Sequence, residues 1–347
     1  MAHVTIKQIA ERVGISKGAV SYALNGRPGV SEQTRARVLA VAAEMDWAPN
    51  SAARSLSGAR SRTVGLVVTR PAEALGAESF FVSFVAGLES VLGPHGHGLL
   101  LQVVPAVEAE QATLHTWARE RRVDGVVLLD PRVDDPRVAL VGALRMPAVV
   151  VGHPSFARGL PCVWKDDAVA VTAAVEHLTG LGHRCLGRVA GPARLGHTAV
   201  RDGAFVAAAA RRGAAARVRI TDFSAAQAAG ATLALVREDQ VTGLLFDNDL
   251  MAVAGLSALV GAGLAVPDDV SVVAWDDSVL CHVTHPQLTA VGHDLTAYGA
   301  AVADLLVRQA EGEEVADVEV AVPDLRVRAS TGHAAPAPGP RPWTVPA

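Results

Sequence analysis

The stretch Thr5–Asn25, TIKQIAERVGISKGAVSYALN, predicts two short helices joined by a tight turn. Thr5 and Gln8 have the spacing of a capping box, in which each side chain satisfies the backbone amide of the other residue. The apolar residues of the first helix repeat at i, i+3, i+4 and i+7, which places on one face Ile6, Ile9, Ala10 and Val13. Gly14 then ends this helix, and Ser16 can cap the second one.

The outer face of the second helix differs from that of an ordinary solvated helix, which usually carries pairs of Glu and Lys. Its residues can donate hydrogen bonds to base edges and phosphates, and none is a carboxylate: Ser16, Lys17, Gly18, Ser21, Tyr22 and Asn25. This composition favours a recognition helix. Residues 14–18 also match the G-x-S-x-G motif of serine hydrolases, but that chemistry needs a strand before the serine, where a helix is predicted.

A third helix follows, capped by Ser31, with an apolar face predicted at Val38, Leu39 and Ala42. Two helices joined by about three residues, with a third packed on them, follow the helix-turn-helix plan, so we expect residues 1–49 to bind DNA.

Residues 50–60 contain Arg54 and an isolated Leu56 among small side chains. A segment this short does not hold a helix alone in water. It is therefore either a flexible linker or a hinge that becomes helical on DNA and inserts Leu56 into the minor groove. The residues alone leave both alternatives open.

From residue 63 onward, short β-branched runs alternate with amphipathic stretches of helical length. The predicted strands form two series, 63–68, 99–104, 125–129 and 148–151, then 186–190, 218–220, 243–246 and 270–275. Such apolar strands indicate parallel sheets covered by helices on both faces. We therefore expect residues 61–331 to form an α/β unit of two lobes with doubly wound parallel sheets. Segments 161–164 and 288–291 are predicted to cross between the lobes, with a ligand cleft between them.

The 347 residues carry a formal charge of −4; half are apolar and 19% are charged, as in folded proteins rather than disordered ones. The charge is uneven, because residues 1–60 hold eight Lys or Arg against four Asp or Glu, whereas the remainder is acidic. A basic segment on an acidic body is compatible with nucleic-acid binding, but charge alone leaves that question open. The Pro-rich residues 332–347 are predicted to form a disordered tail.

The composition and motifs also exclude several classes. No apolar run is long enough to span a membrane and the N-terminus lacks a secretory signal, so we expect a cytoplasmic protein with no membrane partner. Cys162, Cys185 and Cys281 are too few and too scattered for a disulfide framework or a zinc cluster. The two histidines of residues 93–98 fit a helix-to-strand turn better than a metal site. With no nucleotide-binding loop or nucleophile motif, we expect no enzyme activity, cofactor or metal.

Taken in order, the motifs of the chain resemble the lactose/galactose-repressor (LacI/GalR) family. In the first 60 residues they are VTIKQIA (4–10), GIS (14–16), VS (20–21), ALNG (23–26), VS (30–31), TRARV (34–38), PN (49–50) and ARSL (53–56). In the body they are EHL (176–178), LGHR (181–184), DNDLMA (247–252), VPDDVSV (266–272), WDD (275–277) and PQLT (286–289). The resemblance implies a homodimer or tetramer that represses transcription from near-palindromic operator DNA under the control of a small effector, expected to be a sugar.

The resemblance also implies roles for residues of the DNA-binding segment. Lys17, Gly18 and Tyr22 occupy the base-reading edge of the second helix, although the family usually has Arg in place of Tyr22. Leu56 matches a minor-groove wedge, and Arg54 lies beside it. The candidate DNA-binding residues are therefore Thr5, Ser16, Lys17, Gly18, Ser21, Tyr22, Asn25, Arg54 and Leu56.

In the body, six residues match family positions that contact the effector. They are an arginine, an amide and a carboxylate that bind sugar hydroxyls (Arg201, Asn248 and Asp276), two aromatic positions (Phe80 and Phe223) and a further cleft position (His197). Two departures affect the first lobe. The usual Asp-containing loop after the first strand reads Thr69, Arg70, Pro71 here, and the acidic position after Val151 is Gly152.

Two other functions compete with this interpretation. A solute-binding protein that lacks catalysis would share the two-lobed body, but the DNA-binding segment and the missing secretory signal argue against it. An α/β enzyme is disfavoured because the body contains no recognisable catalytic motif.

Overall fold

The computed structural model describes residues 4–47, 60–70 and 78–334. The chain divides into two compact units, Met1–Ser61 and Arg62–Ala347. The candidate hinge residues Arg54 and Leu56 lie outside the described residues. Within the described ranges, no helix is long and apolar enough to cross a membrane.

The first unit contains three helices, α1 (Ile6–Val13), α2 (Lys17–Leu24) and α3 (Glu32–Glu44). Each begins at a residue that the sequence predicts as a cap. Thr5 and Gln8 form the complete capping box of α1, while the hydroxyls of Ser16 and Ser31 accept the amides of the third residue of α2 and α3. Gly14 ends α1 in the left-handed conformation, with φ of 76°, which costs glycine little. The helix predictions are confirmed.

The core of the first unit confirms most of the predicted apolar faces, because the three helices bury together Ile9, Ala10, Val13, Val20, Ala23, Val38 and Ala42. The prediction for Leu39 is wrong, since its side chain is 48% exposed. The buried face of α3 instead runs through Val38, Val41, Ala42 and Met45. These positions follow the i, i+3, i+4, i+7 spacing, which turns Leu39 outward.

The second unit contains two lobes, each built on a six-stranded sheet. The strands of the first lobe are β1 (Thr63–Thr69), β2 (Gly98–Val104), β3 (Gly125–Leu128), β4 (Ala148–Val151), β5 (Cys162–Trp164) and β11 (Val318–Glu319). Those of the second lobe are β6 (Cys185–Ala190), β7 (Ala215–Ile220), β8 (Gly243–Phe246), β9 (Ser271–Trp275), β10 (Thr289–Gly292) and β12 (Asp324–Arg326). Their orders are β11-β5-β4-β3-β1-β2 and β12-β10-β9-β8-β6-β7. Every pair is parallel except β10 with β12.

The helices of the second unit cover both faces of each sheet. They are α4 (Ser79–Leu92), α5 (Val107–Glu120), α6 (Pro136–Ala143), α7 (Asp167–Gly180), α8 (Gly196–Arg211), α9 (Ala225–Arg237), α10 (Asp249–Gly261), α11 (Val279–Val283) and α12 (Leu295–Glu311). In the first lobe, α4 and α12 bury one face of the sheet while α5 and α6 bury the other. In the second lobe, α9 and α10 cover one face and α7 and α8 the other. The predicted two-lobed α/β architecture is confirmed.

The edges of the sheets depart from the predictions. The segments predicted as crossings are the strands β5 and β10, and the chain passes to the other lobe directly after each of them. A third passage, between β11 and β12, was not predicted, because strands of two or three residues show no periodicity. Strand β7 is longer than predicted, because its alternating Arg217 and Arg219 interrupt the apolar run at the sheet edge.

The predicted tail is wrong for residues 332–334. The Gly332 N–H donates to Ser271 Oγ (3.0 Å), and the Ala334 N–H donates to the Leu181 carbonyl (2.9 Å), so this segment is bound to the second lobe. The rest of the predicted tail lies outside the described residues.

The backbones of helices α4 and α12 are in contact at Gly87 and Gly299. A side chain added at either glycine is therefore expected to lower the stability of the protein. A Cβ at Gly87 would lie 2.1 Å from the Thr296 carbonyl oxygen, and one at Gly299 would lie 2.2 Å from that of Phe84. Either Gly→Ala change must separate the helices, so we expect a loss of about 1–3 kcal/mol or more in denaturant unfolding. The control is Gly203→Ala in α8, where a Cβ meets no atom within 4 Å. Equal losses at Gly203 and Gly87 would contradict this packing argument.

Candidate functional site

The candidate DNA-binding residues that the structure describes in the first unit occupy the exposed side of α2 and the start of α1. Ser16, Lys17, Gly18, Tyr22 and Asn25 are exposed and Ser21 is half-buried, while Val20 and Ala23 face the core. Three of the polar side chains also have local structural roles. Thr5 and Ser16 cap their helices, and the Asn25 Nδ2 donates to the Ser21 carbonyl at 2.8 Å. Lys17 and the 44%-exposed Tyr22 extend from the surface of this helix.

The second unit has a cleft of about 780 Å³, including its open mouth, between the carboxyl ends of the two sheets. The structure brings all six candidate effector residues into its lining: Phe80 from the first lobe, and His197, Arg201, Phe223, Asn248 and Asp276 from the second. The remaining polar lining lies outside the predicted effector contacts and comes from Arg70, Glu78, Asp130, His153, Lys165, Asp167, Asp247 and Tyr298.

The cleft floor is formed by Arg201 with Asp167 and Asp247. The Arg201 Nε donates to Asp167 Oδ2 and the Nη1 to Asp247 Oδ1, each at 2.7 Å. The guanidinium also lies 3.9 Å from the centre of the Trp275 ring. Burial opposes the charged guanidinium, but Asp167 and Asp247 outweigh it and raise the pKa of Arg201. Arg201 is therefore a fixed cation with its orientation set by two carboxylates.

The carboxylate of Asp247 accepts hydrogen bonds from several groups. Its Oδ1 also accepts a hydrogen bond from the fully buried Arg188 (2.8 Å), and its Oδ2 accepts the Gly191 N–H (2.8 Å). Burial alone would raise the pKa of Asp247, but Arg188 and Arg201 lower it well below its ordinary value. The floor thus keeps its carboxylate ionised.

Asn248 follows β8 and Asp276 follows β9. Their side chains differ in the hydrogen bonds that they can offer to a ligand in the cleft. The Asn248 Oδ1 caps α10 by accepting the Met251 N–H at 2.8 Å, so its amide group can act toward a ligand as a donor. Asp276 is 8% exposed, and burial raises its pKa to about 7, although Lys165 and Arg201 act in the opposite direction.

The first lobe contributes Arg70, which follows β1. Its Nη2 donates to Asp130 Oδ2 at 2.6 Å, and its Nε lies 3.8 Å from Glu78 Oε1. The guanidinium reaches the second lobe, 5.0 Å from the centre of the Phe223 ring. The His197 ring stacks on Phe223 with 6.3 Å between ring centres. An arginine of one lobe and an aromatic ring of the other therefore meet inside the cleft.

His197 stays uncharged at neutral pH. Burial and the nearby Arg201 lower its pKa to about 4, despite the Asp130 Oδ1 lying 3.8 Å from its Nδ1. In the described ranges, no group of three or more His, Cys, Asp or Glu side chains is arranged to hold a metal ion.

Several of the missed lining residues had a sequence signal. Arg70, Asp130 and Asp247 each lie within two residues of the end of a parallel strand, where ligands bind in doubly wound sheets. Lys165 and Asp167 lie where the chain first passes between the lobes. No local pattern marks Glu78, because only the tertiary fold brings the start of α4 to the cleft.

A three-helix unit followed by two lobes with a polar cleft defines the class of helix-turn-helix transcriptional regulators with a periplasmic-binding-protein-like domain. The family described as bacterial regulatory proteins, lacI family, matches residues 5–50, and the periplasmic binding protein-like domain matches residues 175–331. The transcriptional regulator AglR of Rhizobium meliloti (strain 1021) is 32% identical over 353 residues, covering 98% of each chain. The chain belongs to the lacI family of bacterial regulatory proteins.

Solved structures share this architecture. The transcriptional regulator CelR–cellobiose complex has a TM-score of 0.71 at 29% identity and covers 94% of this chain and 100% of its own. The lac repressor dimer bound to operator and the anti-inducer ONPF has a TM-score of 0.81 at 26% identity, covering 95% of this chain and 100% of its own.

The raised pKa of Asp276 predicts how stability depends on pH. The carboxyl is ordinary in the unfolded chain (about 4), so between that value and about 7 only the folded state keeps its proton. Stability from this group is therefore full at low pH and is lost as the pH rises through 7. Asp276→Asn removes the titration, so the variant should gain roughly 2–4 kcal/mol relative to wild type between pH 5 and pH 8.

Thermal unfolding across this pH range measures the difference. Asp268→Asn, at an exposed aspartate, is the matched control and should track wild type throughout. A difference between Asp276→Asn and wild type that does not change with pH would show that the carboxyl titrates normally.

Proposed function

We propose that this lacI-family regulator is a repressor whose affinity for operator DNA is controlled by a sugar bound in the cleft. The observation that carries the proposal is the convergence of Arg201, Asn248 and Asp276 with the aromatic rings Phe80 and Phe223 on one cleft. Such a lining suits a polyhydroxylated ring, because hydroxyls satisfy the buried polar groups and apolar ring faces pack on aromatic side chains.

The geometry of the cleft floor supports a hydroxyl-binding role for Arg201. In the described part of the chain, its hydrogen bonds are made by Nε and Nη1, which leaves Nη2 as a donor for a ligand. The likeness to the CelR–cellobiose complex supports a sugar as the class of effector.

For DNA, we propose that a homodimer, or a tetramer built from dimers, binds a near-palindromic operator through the exposed face of α2. The likeness to the lac repressor dimer bound to operator supports this arrangement. Residues 1–49 form the proposed DNA-binding segment, residues 50–60 a hinge that carries Arg54 and the Leu56 wedge, and residues 61–331 the effector-binding and dimerisation unit. A repressor of this kind acts in the cytoplasm. The match of the lacI family to residues 5–50 argues against the alternative of a solute-binding protein.

Contacts between the lobes suggest how a ligand changes the protein. The Gly196 N–H at the start of α8 donates to the Pro131 carbonyl (2.7 Å), and Ser79 Oγ donates to Asp249 Oδ2 (2.8 Å). A sugar that binds both walls favours a closed arrangement of the two lobes over a more open one. A difference in affinity between the two arrangements then shifts the DNA-binding equilibrium, typically by about 1–3 kcal/mol.

The effector role of Arg201 is tested by Arg201→Lys, which keeps the positive charge but loses the forked geometry. We expect sugar-dependent release of operator DNA to be lost while operator binding without sugar is retained. Arg201→Ala should also destabilise the fold by about 3–5 kcal/mol, because it leaves Asp167 and Asp247 without this partner. The control is Arg211→Ala, at the exposed end of the same helix. A normal sugar response in Arg201→Lys would remove Arg201 from the effector site.

The DNA-binding role of α2 is tested by salt-dependent binding to an operator obtained by selection from random DNA. Lys17→Ala should weaken binding to all sequences and lower the slope of log K against log salt by about 1. Tyr22→Ala should instead change which bases are selected in each half-site. Arg12→Ala, on α1, removes the same charge as Lys17→Ala and should leave both quantities nearly unchanged. Equal salt effects of the Lys17 and Arg12 changes would argue against this face of α2.

A further inference from the structure

The cleft contains more carboxyl groups than cations. Among the residues that the structure describes, three cationic side chains line it, Arg70, Lys165 and Arg201, together with five carboxyl groups. Two histidine rings also line it, those of His153 and His197. The His153 ring is hydrogen-bonded to Ser155, and His197 is uncharged at neutral pH because its pKa is lowered to about 4.

Three of the five carboxyl groups are matched by the three cations. Asp130 accepts a hydrogen bond from Arg70 (2.6 Å), and Asp247 accepts one from Arg201 (2.7 Å). Asp167 accepts a second bond from Arg201 (2.7 Å) and lies 3.8 Å from the Lys165 Nζ. These contacts lower the pKa of each of the three carboxyls below its ordinary value.

The other two carboxyl groups are Glu78 and Asp276. Arg70 Nε lies 3.8 Å from Glu78 Oε1. Lys165 and Arg201 partly offset the effect of burial on the pKa of Asp276, but among the described residues no cation donates a hydrogen bond to either carboxyl. Both are only 8% exposed, and among the described residues Glu78 Oε1 has no hydrogen-bond partner. Asp276 has His293 as a neighbour, with 3.7 Å between its Oδ1 and the imidazole Nε2, but burial and Lys165 hold the pKa of His293 far below its usual value. That imidazole is neutral and cannot balance a carboxylate.

The two carboxyl groups belong to opposite walls of the cleft. Glu78 immediately precedes α4 in the first lobe, and Asp276 immediately follows β9 in the second. They interact, since Asp276 is among the groups that raise the pKa of Glu78, and burial raises the pKa of each to about 7. Without a cation between them, both are largely protonated in mildly acidic solution.

We propose that the effector carries a protonated amine, as an amino sugar does, and that Glu78 and Asp276 bind the ammonium group from the two lobes. The inference rests on the proposed sugar effector and narrows its chemical class. An ammonium group brings one positive charge and three donors, which suit two buried carboxyl groups that accept no hydrogen bond from a cation of the described residues. A neutral hydroxyl donates one hydrogen bond and leaves their charge unbalanced.

The experiment compares matched sugars on the full-length protein by isothermal titration calorimetry. The pairs are glucosamine with glucose, galactosamine with galactose, and the β-1,4-linked glucosamine disaccharide with cellobiose. At least one amino sugar should bind about tenfold to a hundredfold more tightly than its neutral partner. At pH 6, titration in two buffers of different ionisation enthalpy should show release of about one proton on binding of the amino sugar, because its single positive charge balances one ionised carboxyl group.

Glu78→Gln and Asp276→Asn preserve side-chain shape and test each carboxyl. Each should remove most of the preference for the amine and reduce proton release. Because Asp276 also lines the proposed sugar site, the quantity compared between variants is the ratio of the affinity for the amino sugar to that for its neutral partner. The matched controls are Glu89→Gln, at an exposed position of α4, and Asp268→Asn, at an exposed loop position, and both should behave as wild type.

The outcomes separate this inference from the proposed function. If a neutral sugar binds as tightly as its amino partner and no protons are released, the amine inference is overturned while the sugar effector stands. If neither member of any pair binds, both proposals are overturned. If amino sugars are preferred but both carboxyl variants keep that preference, Glu78 and Asp276 are not the recognition groups and the assignment is wrong.

Discussion

The second lobe depends on one buried guanidinium, that of Arg201, held between Asp167 and Asp247 and stacked on Trp275. These side chains come from α7, α8, β9 and the end of β8, so the contacts fix four elements around the cleft floor. A buried carboxylate costs several kcal/mol unless cations and hydrogen bonds compensate it, and for Asp247 the cations are Arg201 and Arg188, with the Gly191 N–H as a further donor. The floor is therefore stable as a unit, and removing one arginine leaves a charge that the interior cannot solvate.

In the first lobe, one of the two departures from the family pattern, Gly152, has a steric reason. A Cβ at Gly152 would lie 2.8 Å from the Cγ of Pro131, and Gly152 has a φ of 151°. Pro131 in turn receives the amide of Gly196 at the start of α8. An acidic side chain at residue 152 would therefore displace the loop of Pro131, which is hydrogen-bonded to the second lobe. The wall instead receives its charge from Arg70, whose guanidinium pairs with Asp130.

The sequence predicted the architecture well, because buried parallel strands are continuous apolar runs and helix caps have local signatures. Two of its errors lie where burial is one-sided: the edge strand β7 alternates polar and apolar residues, and Leu39 adjoins the buried face of α3 without belonging to it. The six proposed effector residues all line one cleft. They could be proposed from the sequence because the family resemblance gave their positions. Glu78 could not be predicted, because its place in the cleft arises from the packing of α4 and from no pattern near it in sequence.

Three residues of the cleft adopt the left-handed backbone conformation that residues other than glycine rarely take. They are Asp130, Phe223 and Asp276, with φ values of 51°, 71° and 64°. Each such residue costs about 1–3 kcal/mol, most for a bulky side chain such as Phe223, and persists only where its surroundings enforce it. Asp130 and Asp276 lie at the ends of β3 and β9, where continued extended backbone would turn the side chain away from its present direction. The left-handed conformation thus directs two carboxyls and an aromatic ring into the same cleft. The half-buried Arg70 and the buried Arg201 supply part of the free energy that holds them there.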